Sequence, residues 1–168
     1  YRWSLDAAGL ARLTSARESL SLRERMGLGY ALASQLGAGT LSGDAVLQSL
    51  GGLTNDSHPR VVASSLSAIE SVWEPLADDA TRPALRQWLL RSLTPVYQRV
   101  GPSVKPGEDV QITRLRPSLL TWLGTEVRDP EVLALAKQQV PLVLESPDAI
   151  DPDLRSTFIT LAAVDGDD

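Results

Sequence analysis

Cysteine and histidine are the scarcest reactive residues in this chain of 168 residues, which has no cysteine and a single histidine, His58. Without cysteine the chain has no disulfide, no thiolate nucleophile and no cysteine-ligated zinc site. A single histidine also excludes the motifs in which two histidines of one helix bind zinc. These absences remove cysteine-based sites and two-histidine zinc motifs, and we predict no catalytic, metal-binding or cofactor-binding residue in this chain.

Lysine is nearly as rare, since only Lys105 and Lys137 are present, and the net charge is -5. A surface that binds nucleic acid needs clustered Lys and Arg to neutralise phosphates, so this balance argues against a nucleic-acid partner. No apolar run approaches the roughly 20 residues that a membrane-spanning helix requires. No signal peptide is visible, and nothing in the sequence indicates a particular cellular compartment.

Both ends of the sequence look cut. The chain begins at Tyr1 rather than at Met, and it stops in the acidic run DGDD at 165–168. We therefore expect a fragment of a larger, multidomain protein. With 43% hydrophobic residues, the chain is long enough to bury a core of its own. Residues 1–6 alternate large and polar side chains, which is typical of the tail of a strand from a preceding β domain.

The clearest helical signal lies at residues 55–74. Ser57 or His58 can cap the start, and Pro59 fits the first turn because its missing N–H would be unpaired there anyway. Apolar residues then recur at steps of three and four, which predicts a helix packed on neighbouring helices. The same order of an acid, a proline and an apolar run returns at 129–130 and 151–152.

Other helix starts carry recognisable caps. Asp6 is placed to cap a first helix, and Ser21 with Glu24 matches a capping box at the start of a second. Ser42 begins a third helix, which we expect to end at the glycine pair 51–52. Further apolar-periodic segments bring the number of predicted helices to eight.

Glycines and prolines predict where these helices approach one another or stop. Gly27 and Gly29 lie inside the second helix, where each costs about 1 kcal/mol relative to alanine, so we expect a close helix–helix approach there. The stretch GPSVKPGE at 101–108 is the clearest loop. Kinks or breaks are expected at three prolines inside helical patterns: Pro95, Pro117 and Pro141.

These segments predict an all-α fold, because no strand pattern follows Asp6. The helices follow one another without a strict repeat length. We therefore expect a single domain over residues 1–168, built as an irregular α-solenoid of antiparallel helix pairs like HEAT or armadillo arrays. A compact helical bundle is the alternative.

Two groups of residues offer candidate chemistry. His58 with Ser57 and Asp56 has the residue types of a catalytic triad, but such groups are normally brought together from distant parts of a chain, so we interpret His58 as a helix-start residue. Arg114 and Arg116 lie near a helix start, whose positive end adds to their charge. We predict that they meet the carboxylates of a partner, and ion pairs with acids of the same chain are the alternative.

Taken in order, the motifs resemble the C-terminal helical domain of the aminopeptidase N family of zinc aminopeptidases. That family includes puromycin-sensitive aminopeptidase and the endoplasmic-reticulum aminopeptidases. The resemblance extends over nearly the whole chain. It is carried by YRWSLD at 1–6, LSLRER at 20–25, YALA at 30–33, GTLS at 39–42, LTPVY at 93–97, RLR at 114–116 and DLRST at 153–157.

The resemblance implies a role within an enzyme and no activity for this piece alone. The family's HExxH zinc motif belongs to an upstream catalytic domain, so zinc is expected in the parent enzyme and not here. The helical domain would cover the catalytic cleft, pack against the catalytic and β-sandwich domains of the same chain, and help to bind or size-select peptide substrates. Arg114 and Arg116 would meet the carboxylates of the peptide.

Two other functions compete with this one. The first is a free-standing HEAT-like scaffold that binds a partner protein. The second is an independent hydrolase that uses Ser57, His58 and an acid.

Overall fold

The computed structural model describes residues 6–164, which form eight α-helices and contain no β-strand. The predicted all-α fold with about eight helices is therefore confirmed. Residues 1–5 of the predicted strand tail lie outside the described residues. Short 3₁₀ turns occur at Arg17–Ser19 and Pro147–Ala149, and a π-helical turn at Trp122–Glu126. The α-helices are α1 (Ala7–Ser15), α2 (Leu22–Gly37), α3 (Gly43–Thr54), α4 (Pro59–Leu76), α5 (Arg82–Val100), α6 (Val110–Thr121), α7 (Pro130–Glu145) and α8 (Pro152–Val164).

The predicted helix caps are confirmed. Asp6, Ser42 and His58 each accept a hydrogen bond from a backbone N–H in the first turn of their helix. Ser21 and Glu24 form both bonds of the capping box. Each cap satisfies an N–H group that has no partner within its own helix.

The predicted helix ends are less accurate than the starts. None of α5, α6 and α7 ends at its internal proline, so no break occurs at these positions, and the kink expected as the alternative stays a prediction. A proline removes one backbone hydrogen bond, but Leu93 and Val96, on either side of Pro95, are both fully buried. The end of α3 predicted at 51–52 is also wrong, since the helix continues to Thr54. Burial of apolar side chains beyond these points favours the continued helix.

The described residues up to Leu85 form one compact unit. Within it α2 packs against α4, α3 packs against both, and α1 lies on α3. A Cβ atom at Gly29 of α2 would lie 3.4 Å from both the Cβ of Ala68 and the carbonyl oxygen of Ser64 in α4. The close approach is therefore confirmed at Gly29. It is wrong for Gly27, which is exposed and has nothing within 4 Å of a Cβ position.

The described residues from Arg86 onward form a second compact unit. In this unit α7 and α6 both pack against α8. A Cβ atom at Gly124, in the π-helical turn, would clash with the side chain of Leu161 in α8, so a larger residue at position 124 requires Leu161 to shift. The core of the unit is apolar. It includes Leu89, Leu93, Val96, Leu115, Leu119, Leu120, Leu123, Val132, Leu133, Ala136, Leu154, Phe158 and Leu161.

The packing inside each unit joins helices that are consecutive or next but one along the chain. Local packing of this kind is what a helical array requires. The irregular α-solenoid and the single domain over 1–168 stay predictions, with the compact bundle as the alternative.

Candidate functional site

Arg116 is the most buried charged residue in the described part of the chain. Its side chain is 0% exposed, although it belongs to the pair predicted to meet a partner. Its Nε–H donates to the carbonyl oxygen of Gly101 at 2.9 Å, and Nη2 donates to that of Val100 at 3.2 Å. The last carbonyls of a helix have no partner within the helix, so Arg116 of α6 caps the end of α5.

Glu108 is the negatively charged ion-pair partner of the buried Arg116. Its Oε1 and Oε2 lie 2.7 and 2.8 Å from Nη2 of Arg116, and the hydroxyl of Thr113 donates to Oε2 at 3.1 Å. Burial acts to raise the pKa of Glu108, but the hydrogen bond and charge of Arg116 outweigh it, with help from Thr113 and Lys105. The pKa of Glu108 therefore lies below its usual range, and its carboxylate is ionised at neutral pH.

These contacts hold the loop at 101–109 between α5 and α6. Gly101 and Gly107 have φ values of 76° and 73°, in the left-handed region that glycine adopts without strain. The loop predicted at 101–108 is confirmed. We call the set of Arg116, Glu108 and the carbonyls of Val100 and Gly101 the loop clasp.

Arg114 lies on the other side of α6 and is exposed. Residues two apart project about 200° apart around a helix, so the two arginines that were predicted to bind carboxylates together point in different directions. The burial of Arg116 had a signal in the sequence. Arg116 lies four residues after Ile112 and three before Leu119, and Leu123 follows four residues later. Arg116 therefore belongs to the apolar stripe of α6.

The first unit contains a second, partly buried ion pair. Nη1 of Arg25 in α2 donates to both carboxylate oxygens of Asp56, at 2.7 and 2.6 Å. The side chain of Arg25 is 19% exposed and that of Asp56 only 4%. The Oδ1 atom of Asp56 also accepts the backbone N–H of His58 at 2.8 Å. This pair ties α2 to the turn before α4, a role that Asp56 did not have in the sequence analysis.

His58 is arranged as a helix cap. Its Nδ1 accepts the backbone N–H of Arg60 at 3.2 Å, so this nitrogen caps the first turn of α4. Asp56 bonds the backbone of His58 and the side chain of Arg25, so it does not orient the imidazole as a triad acid would. The local geometry agrees with the interpretation of His58 as a helix-start residue.

Across 6–164, no group of three or more His, Cys, Asp or Glu side chains is placed to hold a metal ion. The side chains described here therefore do not fit the zinc site that the resemblance assigns to the parent enzyme. Within the same range, no helix is both long and apolar enough to cross a membrane.

The fold and its ion pairs define an all-helical domain whose buried charges hold its own loops and helices together. Comparison with known families agrees with this class of protein. A family model described as the ERAP1-like C-terminal domain matches residues 1–168, the whole chain. The chain belongs to this family and is a domain of an aminopeptidase. None of the curated proteins and none of the solved structures compared with the chain matches it.

Proposed function

We propose that this domain covers the catalytic cleft of its parent aminopeptidase and helps to bind or size-select peptide substrates. The observation that carries the proposal is the family match over residues 1–168, which assigns a C-terminal domain. Zinc and the reacting groups then belong to the upstream catalytic domain of the same chain. This domain packs against that catalytic domain and against a β-sandwich domain. A domain that borders a cleft limits which substrates fit it without supplying chemistry.

In this proposal Arg114 meets a carboxylate of the peptide. Its guanidinium is exposed on α6, and a planar guanidinium can donate two parallel hydrogen bonds to a carboxylate. Arg116 is buried together with Glu108. Of the two arginines, Arg114 is therefore the one that a peptide reaches while the loop clasp is closed.

The test compares variants of the full aminopeptidase. Arg114→Ala is expected to raise KM about tenfold or more for peptides with a free C-terminal carboxylate, because a charge-assisted hydrogen bond is lost. KM for the same peptides with an amidated C-terminus, and for small aminoacyl chromogenic substrates, should not change. Arg23→Ala removes an exposed arginine of α2 and serves as the matched control. Equal effects on free and amidated peptides would rule out Arg114 as the carboxylate contact.

A second experiment tests whether the domain lacks chemistry of its own. The isolated domain, with and without added zinc, is expected not to hydrolyse an aminoacyl chromogenic substrate. Zinc-dependent turnover by the domain alone would refute the proposal that the reacting groups lie upstream.

A further inference from the structure

Helix α5 carries positive charge and no negative charge. It has four arginines and no Asp or Glu among its 19 residues, although the whole chain has a net charge of -5. Acids and bases three or four residues apart on one helix pair with each other and stabilise it. No such pair is possible within α5, so its arginines can pair only with carboxylates from outside the helix.

The exposed residues of α5 from position 87 onward are Gln87, Arg91, Pro95, Gln98 and Arg99, and we call this set the α5 face. The first four follow one another at steps of four, four and three, so they lie on one side of the helix. Arg99 belongs to the last turn, where a positive charge complements the helix dipole. Arg91 lies in the middle of α5, where the dipole does not account for its charge.

Pro95 adds a hydrogen-bond acceptor to the same side of the helix. Because proline has no N–H, the carbonyl oxygen of Arg91 receives no hydrogen bond from position 95. The α5 face therefore has a guanidinium and the side-chain amides of Gln87 and Gln98 as donors, and a backbone carbonyl as an acceptor. An acidic peptide is complementary to this set, because its side-chain carboxylates accept hydrogen bonds and its backbone N–H groups donate them.

We propose that the α5 face binds acidic segments of the peptide substrate, with Arg91 paired to a side-chain carboxylate of the peptide. The proposal rests on the proposed function and names the substrate class that this domain favours. Arg114 meets the carboxylate at the end of the peptide, whereas Arg91 meets an Asp or Glu within it. The aminopeptidase then favours peptides with acidic residues in their interior over neutral peptides of the same length.

The test compares KM for two peptides in the full aminopeptidase. The peptides are identical except that one has a run of Glu in its interior and the other has Gln at the same positions. Both are amidated at the C-terminus, so Arg114 has no terminal carboxylate to bind. The wild type should have a KM about threefold lower for the Glu peptide, the effect of an exposed ion pair. In Arg91→Ala this difference should disappear, because KM rises for the Glu peptide and stays the same for the Gln peptide.

Two further variants control for charge and for folding. Arg23→Ala removes an exposed arginine of α2 and should leave the difference between the two peptides as in the wild type. Arg91→Lys keeps the positive charge and should keep most of the difference. Alanine and lysine both favour a helix, as arginine does, so both variants at position 91 should fold, and far-ultraviolet circular dichroism verifies this. Sodium chloride should reduce the difference in the wild type, because salt screens exposed charges.

Loss of the preference for the Glu peptide in Arg91→Ala, but not in Arg23→Ala, supports the proposal. Equal KM values for the two peptides in the wild type overturn it. A preference that survives in Arg91→Ala also overturns it, and so does an equal rise of both KM values, which would mean that Arg91 pairs with an acid of a neighbouring domain. The proposed function is judged separately, because the effect of Arg114→Ala depends on a C-terminal carboxylate that both of these peptides lack.

Discussion

The close contact between α2 and α4 at Gly29 leads to a prediction for which another glycine of the same helix is the control. Gly27 and Gly29 lie two residues apart in the same helix, so a substitution at either changes helix propensity alike. Their surroundings differ, since Gly29 faces Ala68 and Ser64 of α4 at 3.4 Å and Gly27 faces open space. Gly27 is therefore the matched control for Gly29.

The expected magnitudes follow from these surroundings. Alanine or leucine at position 27 should raise the free energy of unfolding by about 1 kcal/mol, the difference in helix propensity from glycine. Leucine at position 29 gains the same propensity but has no room against Ala68, and overpacking costs about 1–3 kcal/mol. Gly29→Leu should therefore be less stable than Gly27→Leu by about 1–3 kcal/mol. Gly29→Ala should lie between them, because 3.4 Å is the near limit of ordinary contact.

Urea denaturation of the domain, followed by far-ultraviolet circular dichroism, measures these differences. The free energy of unfolding is obtained from the midpoint and slope of each transition. If Gly27→Leu and Gly29→Leu unfold with the same free energy, α2 and α4 do not constrain position 29, and the reasoning from the close approach fails.

Three other predictions concern charges and a proline. Asp56→Ala should lower the free energy of unfolding by about 1.5–3 kcal/mol, the range for hydrogen bonds to charged groups, whereas the exposed Asp148→Ala should leave the urea midpoint unchanged. Because the pKa of Glu108 is lowered in the folded state, its stabilisation is present above its unfolded pKa and is lost as pH falls through the folded pKa. Glu108→Gln should therefore flatten the acid dependence of the urea midpoint, and an identical slope in both proteins would contradict this. Pro141→Ala should raise the midpoint, because proline costs up to about 3 kcal/mol more than alanine inside a helix, and a lowered midpoint would contradict that reasoning.

Helix starts could be predicted from the sequence because their determinants are local. Asp6, Ser42 and His58 each cap the helix that follows, as expected from residues within one turn. The same local information explains why the number of helices was right. Family membership was also accessible from the sequence, since short motifs in a fixed order extend over nearly the whole chain.

The candidate site was predicted only in part. Arg116 was predicted to meet the carboxylate of a partner, with an ion pair to an acid of the same chain as the alternative, and in the structure it forms the ion pair with Glu108. Its partner Glu108 was not singled out. The two lie eight positions apart with the start of α6 between them, and which acid faces a given arginine depends on how the chain turns there.

The sequence by itself determined the all-α class, the helix starts, the loop near 101–108 and the family. These properties arise from local hydrogen bonding and from the periodicity of apolar residues, and both can be read directly from the sequence. Only the tertiary structure decided that helices continue through Pro95, Pro117 and Pro141, that Gly29 rather than Gly27 meets a neighbouring helix, and that Arg116 is held inside by Glu108. Each of these outcomes depends on burial against residues distant in the sequence, and that burial outweighs the local cost of a proline, a glycine or a buried charge.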